Sequence, residues 1–190
     1  GTTLNFTGTS VSNMVTLRSD TTATWDLTKT GTVTANYVDV QYSNASASVT
    51  ATNSVDSGNN TNWSITSLLT SASVAPATLV AGITGNVDAV FTTVNPIPAT
   101  GKILITFPAN FNVASAGLFS VTGIDGTLTL SVSGQVVTLT RSGGTSSAAG
   151  VKTITLTNIK NPAATGVTGT YSITTKTSAD VTIDSLTGIA

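Results

Sequence analysis

Apolar side chains in this chain recur at every second residue over short stretches, each closed by turn-forming residues. Ala23, Trp25 and Leu27 alternate with Thr24, Asp26 and Thr28, and Val15 and Leu17 with Thr16 and Arg18. Leu128, Leu130 and Val132 alternate in the same way with Thr127, Thr129 and Ser131. A period of two is what a half-buried strand demands, because successive side chains leave a pleated backbone on opposite faces. Composition agrees. Glu is absent and Lys, Leu and Gln are scarce, whereas about one residue in five is Thr, so the residues that favour helices are replaced by one that favours a pleated surface. The fold class expected is all-β.

The strands fall into two blocks. In the first, candidates are residues 2–6, 14–18, 22–28, 32–42, 47–52 and 63–66, and the apolar parity of 32–42 flips between Tyr37 and Val38, where a bulge or corner is expected. In the second, candidates are residues 71–80, 86–94, 102–107, 119–122, 127–132, 136–141, 151–159, 170–177 and 181–183. Turn signals there come about every 8–12 residues, among them Asn95-Pro96, Asp125-Gly126, Ser133-Gly134 and Asn161-Pro162, a rhythm of antiparallel sandwiches. A hairpin is predicted over Ser131–Thr140 around Ser133-Gly134. The expected organisation is a first domain over 1–66, a short boundary over 67–78 that merges into the next strand, and a sandwich over 71–190.

Two resemblances sharpen this. The run Tyr37-Val38-Asp39-Val40 with Tyr42-Ser43-Asn44-Ala45-Ser46, followed by Asn53 to Trp63, resembles the closing coils of parallel β-helix segments in large repetitive microbial surface proteins. The resemblance implies a short β-solenoid, of only two or three coils. Phe91 to Pro98, Gly101 to Pro108 and Thr155 to Pro162 resemble Ig-like sandwich repeats strung along microbial and algal surface proteins. That resemblance implies an exterior adhesive or structural role and carries no catalytic residue across.

Chemistry is sparse. The chain has no His and no Cys, which excludes imidazole acid–base catalysis, thiol nucleophiles, the usual zinc sites and a disulfide framework. All eight acids are Asp, at 20, 26, 39, 56, 88, 125, 180 and 184, and no spacing pairs them, so no enzyme is expected. No cofactor is expected either; a calcium ion near Asp56, with Asn59, Asn60 and Asn62, is the weak alternative to a plain Asx-rich turn. Lys102, Lys152, Lys160, Asn158 and Asp88 are nominal partners for a Lys–Asn isopeptide cross-link. Asn5, Asn44, Asn59 and Asn62 lie in N-glycosylation sequons, a number that chance explains in a Ser/Thr-rich chain. Trp25 and Trp63 sit in apolar phase and read as core rather than as a sugar-binding groove. Seven basic residues without a run give no nucleic-acid footprint, and no apolar stretch approaches the length of a membrane span.

A charged fraction of 8% leaves little repulsion between copies. A brief coil stack has open ends with unpaired backbone groups, and the chain opens directly with the strand-like Thr2, Thr3, Leu4, Asn5 and Phe6. These five residues are the candidate subunit–subunit strand. The expectation is a homopolymeric structural subunit of an extracellular filament or cell-surface layer, growing by strand addition or head-to-tail stacking. The alternative is a fragment of a large adhesin whose sandwich binds a surface glycan or protein.

Overall fold

The computed structural model describes residues 3–190 and contains strands without any helix among them. The chain divides into two compact units, Gly1–Leu68 and Leu69–Ala190.

The first unit holds β1 (Thr3–Thr7), β2 (Val15–Leu17), β3 (Trp25–Leu27), β4 (Thr32–Asn36), β5 (Val38–Val40), β6 (Ser43–Thr52), β7 (Val55–Asp56), β8 (Thr61–Ile65) and β9 (Ser67–Leu68). The ladders joining β1 to β8 are all parallel, and they stack residues in columns. Thr16 pairs with Asp39 and Asp39 with Val55. Ala35 pairs with Ala51 and Ala51 with Ile65, while Asp26 pairs with Asn44 and Asn44 with Thr61. The corner expected after Tyr37 is present: β4 stops at Asn36, Tyr37 takes a φ of 51°, and β5 starts at Val38. Asn53, at φ 53°, makes the corresponding corner one layer on, and its Nδ2 donates to Asn36 Oδ1 at 3.0 Å. The interior between the strands takes Ala and Val together with Leu27 and Ile65. Val38, Val40, Ala45, Val49 and Ala51 are buried, with Phe6, Val15, Leu17, Trp25 and Trp63 packed partly covered against them. Both Trp thus lie against this core, their Nε1–H donating to Gln41 O and Ser43 Oγ.

The second unit holds β10 (Ser71–Pro76), β11 (Thr84–Thr93), β12 (Lys102–Thr106), β13 (Gly117–Thr122), β14 (Thr127–Ser133), β15 (Val136–Ser142), β16 (Gly150–Lys160), β17 (Tyr171–Lys176) and β18 (Thr182–Ile189). One antiparallel sheet runs β10-β11-β16-β13; in the other, β14, β15, β12, β17 and β18 follow in that order. The hairpin expected at Ser133-Gly134 joins β14 to β15, with Gly134 at φ 56°. Inward residues of both sheets form one core: Val87, Ala89, Phe91, Ile154 and Leu156 from the first meet Ile103, Ile105, Leu139 and Ile173 from the second. The unit is a β-sandwich. Near one end Phe107, Phe111 and Tyr171 form a three-ring cluster, centroids 5.5–5.7 Å apart. Packing of inward aliphatics at ~1.5–3 kcal/mol each is the main stabilising term, since the rims carry few ion pairs.

Candidate assembly surfaces

The first surface is the outer edge of the parallel ladders, formed by β1, β2 and β3. β1 is laddered only to β4, β2 only to β5 and β3 only to β6, so among the described residues all three have one strand neighbour and one free edge. Thr3, Leu4, Asn5 and Phe6 of the expected interaction strand therefore lie on a terminal edge; Thr2 falls outside the described residues. Leu4 and Phe6 are in register with Val33 and Ala35, the inward positions of β4. Among the described residues no further strand stacks on them, and Leu4 is 41% exposed while Phe6, Val15, Leu17 and Trp25 are only partly covered. The end thus offers apolar side chains bordered by backbone donors and acceptors, the combination that another strand complements. Arg18 ties the adjacent layers down: its guanidinium pairs with Asp39 and donates to Ser57 Oγ at 3.2 Å, and Ser57 Oγ donates to Asp39 Oδ1 at 2.6 Å.

The second surface is a groove of about 580 Å³ at one end of the sandwich. Val74 and Pro76 of edge strand β10, Phe111 and Tyr171 form part of its wall, and the loops 77–83 and 161–169 rim it. Those loops are locked together. Gly82 N–H donates to Pro162 O at 2.8 Å, Asn161 N–H to Ile83 O at 2.8 Å, and Asn161 Nδ2 to Thr78 O and Val80 O at 2.7 and 3.0 Å. The rim nevertheless projects Leu79, Val80, Ile83 and Val167 into solvent.

The charged groups are structural. Arg141, inward in phase with Val137 and Leu139, has a fully enclosed side chain. It donates to Ile97 O and Pro98 O through Nη1 and to Thr145 O, Asp125 O and the Asp125 carboxylate through Nη2. Asp125 also accepts from Thr145 N–H, Thr145 Oγ1 and Ser147 Oγ; the Thr145 backbone bond most of all lowers its pKa to about 2. Lys152 is buried and donates to Ala148 O at 2.7 Å; desolvation, and then the nearby Arg141 charge, hold its pKa below the usual lysine range. Asp184, wholly enclosed, accepts from Val94 N–H, Asn95 N–H and Asn95 Nδ2, yet desolvation pushes its pKa upward.

Three members of the nominal isopeptide set are engaged elsewhere. Lys102 pairs with Asp180, Lys152 turns to Ala148, and Asp88 accepts from Thr155 Oγ1. Asp56 Oδ1 accepts from Gly58 N–H and Asn60 Nδ2, and Asn60 also reaches Val40 O and Ser43 N–H, so these groups shape a local turn. Among the described residues no group of three or more acids is placed to hold a metal. Of the sequon asparagines, Asn44 and Asn62 spend Nδ2 on Asp26 and on Ala45 O, whereas Asn59 sits exposed in a turn at φ 58°.

The groove and the buried charges escaped the sequence reading. Leu79 and Val80 read as the end of a strand over 71–80, but β10 stops at Pro76 and both residues enter the rim loop. A usable signal existed for the charges: Arg141 and Lys152 occupy apolar-phase positions of their strands.

No protein-family model matches the chain, and no curated protein matches it. Two solved structures align with part of it. A bacterial hydrophobin, BslA, shares 14% identity at a TM-score of 0.38, over 62% of this chain and 92% of that one. A non-cellulosomal cohesin from the hyperthermophilic archaeon Archaeoglobus fulgidus shares 8% identity at a TM-score of 0.30, over 63% of this chain and 91% of its own.

Proposed function

We propose that the chain is a non-catalytic structural subunit of an extracellular filament or surface layer, and that copies join by strand addition at the leading end of the first unit. In this reading residues 1–66 are a short solenoid and 71–190 an Ig-like sandwich. The observation that carries it is the terminal position of β1, β2 and β3, with Leu4 exposed on the inward face of the stack. A coil interior left uncovered at that point is stabilised by whatever strand continues it, and the partner always present at matching concentration is another copy. The near-neutral chain, net charge −1, opposes such stacking weakly.

The test is Leu4→Lys, which sets a charge where the next strand would pack. Negative-stain imaging and native mass of the full chain should show polymers for the wild type and their loss in the variant. Polymers that form equally in L4K, or a wild type that stays a stable monomer at high concentration, would overturn the reading.

A further inference from the structure

The sandwich carries a second feature that strand addition at the coil end does not use. Leu79 is 86% exposed, Val80 59%, Ile83 46% and Val167 99%, all on the two loops that border the apolar groove. Isolated exposed aliphatics are common, but four of them on two mutually hydrogen-bonded loops are more than scatter. The loops contain no charged residue from Ala77 to Val87 or from Asn161 to Thr175. Covering them strips no ion of water.

We propose that this end of the sandwich is a self-association surface, docking on the same end of a second copy so that Leu79 and Val167 of each enter the groove of the other. Three features favour a second copy over another occupant. Protruding aliphatics and an apolar recess lie side by side on one surface, the self-complementarity that a two-fold contact requires. The four residues expose about 500 Å² per copy, so a pair can hide up to about 1,000 Å² from them before the groove walls are included, the size at which specific contacts begin. Finally, no charged side chain lines the recess, and the Asn161 amide nitrogen on its wall is already committed to Thr78 O and Val80 O, so an ionic ligand finds no partner there.

The experiment is sedimentation velocity of the full chain over a wide concentration range, in the L4K background so that coil-end growth is tested separately. A reversible species of twice the 19.0 kDa chain mass is expected. Leu79→Asp with Val167→Asp, at exposed positions that spare the core, should weaken it at least ~100-fold, because the two-fold axis doubles the buried like charges. Ala164→Trp, which fills the groove while making the patch more apolar, should also weaken it, whereas non-specific stickiness would be strengthened. Dimers unchanged by the Asp pair, dimers strengthened by A164W, or a monomer that only adsorbs to an apolar surface would each overturn the proposal. Polymers persisting in L4K would count against coil-end addition alone.

Discussion

Arg141→Met isolates the polar stitch that holds three loops of the sandwich. The guanidinium is enclosed and donates to Ile97 O at 2.5 Å, Pro98 O at 2.6 Å and Thr145 O at 2.8 Å, besides Asp125. Methionine keeps most of the stem's packing and removes the cost of burying the charge. It also deprives acceptors unequally. Ile97 is fully buried, and its carbonyl keeps the Ser147 N–H at 2.9 Å but loses a bond from a charged donor, at ~1.5–3 kcal/mol. Thr145 and Asp125 lie at the surface, where water replaces the lost bonds. Truncating a buried charged partner costs ~3–5 kcal/mol when the remaining charge stays buried, and here it does not, which places the loss near ~3 kcal/mol. For a unit of this size that is a fall in Tm of roughly 10–15 °C. Arg141→Lys should lose less, since one ammonium can satisfy Ile97 and Pro98 but cannot also span to Thr145. Far-UV circular dichroism melts or calorimetry are the assays. Trp fluorescence is not, because Trp25 and Trp63 both lie in the first unit. An R141M protein within ~1 kcal/mol of wild type would refute the reasoning, showing that the loops do not depend on the guanidinium.

Asp184→Ala should cost ~3 kcal/mol or more in urea unfolding, because two backbone N–H groups and the Asn95 amide lose a shared acceptor in a closed site. Asp184→Asn should recover only part of that, since its new NH₂ must face either those backbone donors or the Asn95 amide. Asp125 titrates near 2, below its unfolded value of 3.8, so its contribution is present above pH 4 and is lost as pH falls through 2. Asp184, shifted upward, has the opposite sign: its contribution is full below its unfolded value and declines as pH rises through the folded one. Urea midpoints measured from pH 5 to 2 should therefore drop less in Asp125→Asn than in wild type, and an equal drop would remove Asp125 from the account.

Strand positions were legible because a period of two is a local property. Leu128, Leu130 and Val132 face the core as their spacing requires, and the parity flip after Tyr37 marks a real corner. Pairing was less legible. β6 begins at Ser43 and runs to Thr52, whereas only residues 47–52 read as strand, since Ser43 and Ala45 carry too little apolar surface to register as inward. Both are buried between larger neighbours such as Leu27 and Trp63, and Ser43 is satisfied there by Trp63 Nε1–H. Size and hydrogen bonding, not hydrophobicity, set those positions, and a hydropathy pattern is blind to both.

The same blindness explains the two surfaces. Leu4 and Leu79 are aliphatic residues in strand-like contexts, and sequence alone assigns each to an interior. Their exposure follows topology: among the described residues β1 is paired on one edge alone, and β10 ends at Pro76 before Leu79 can join the sheet. An apolar residue that local pattern sends inward and tertiary structure leaves outside retains transfer free energy in proportion to its exposure, most of the ~1.5–3 kcal/mol at Leu79 and less than half of it at Leu4, to be released on association. Two such places, on separate units and with different geometry, give the chain two independent ways to meet a copy of itself. A two-fold contact alone stops at pairs; joined to a second contact at another site, it lets the assembly grow.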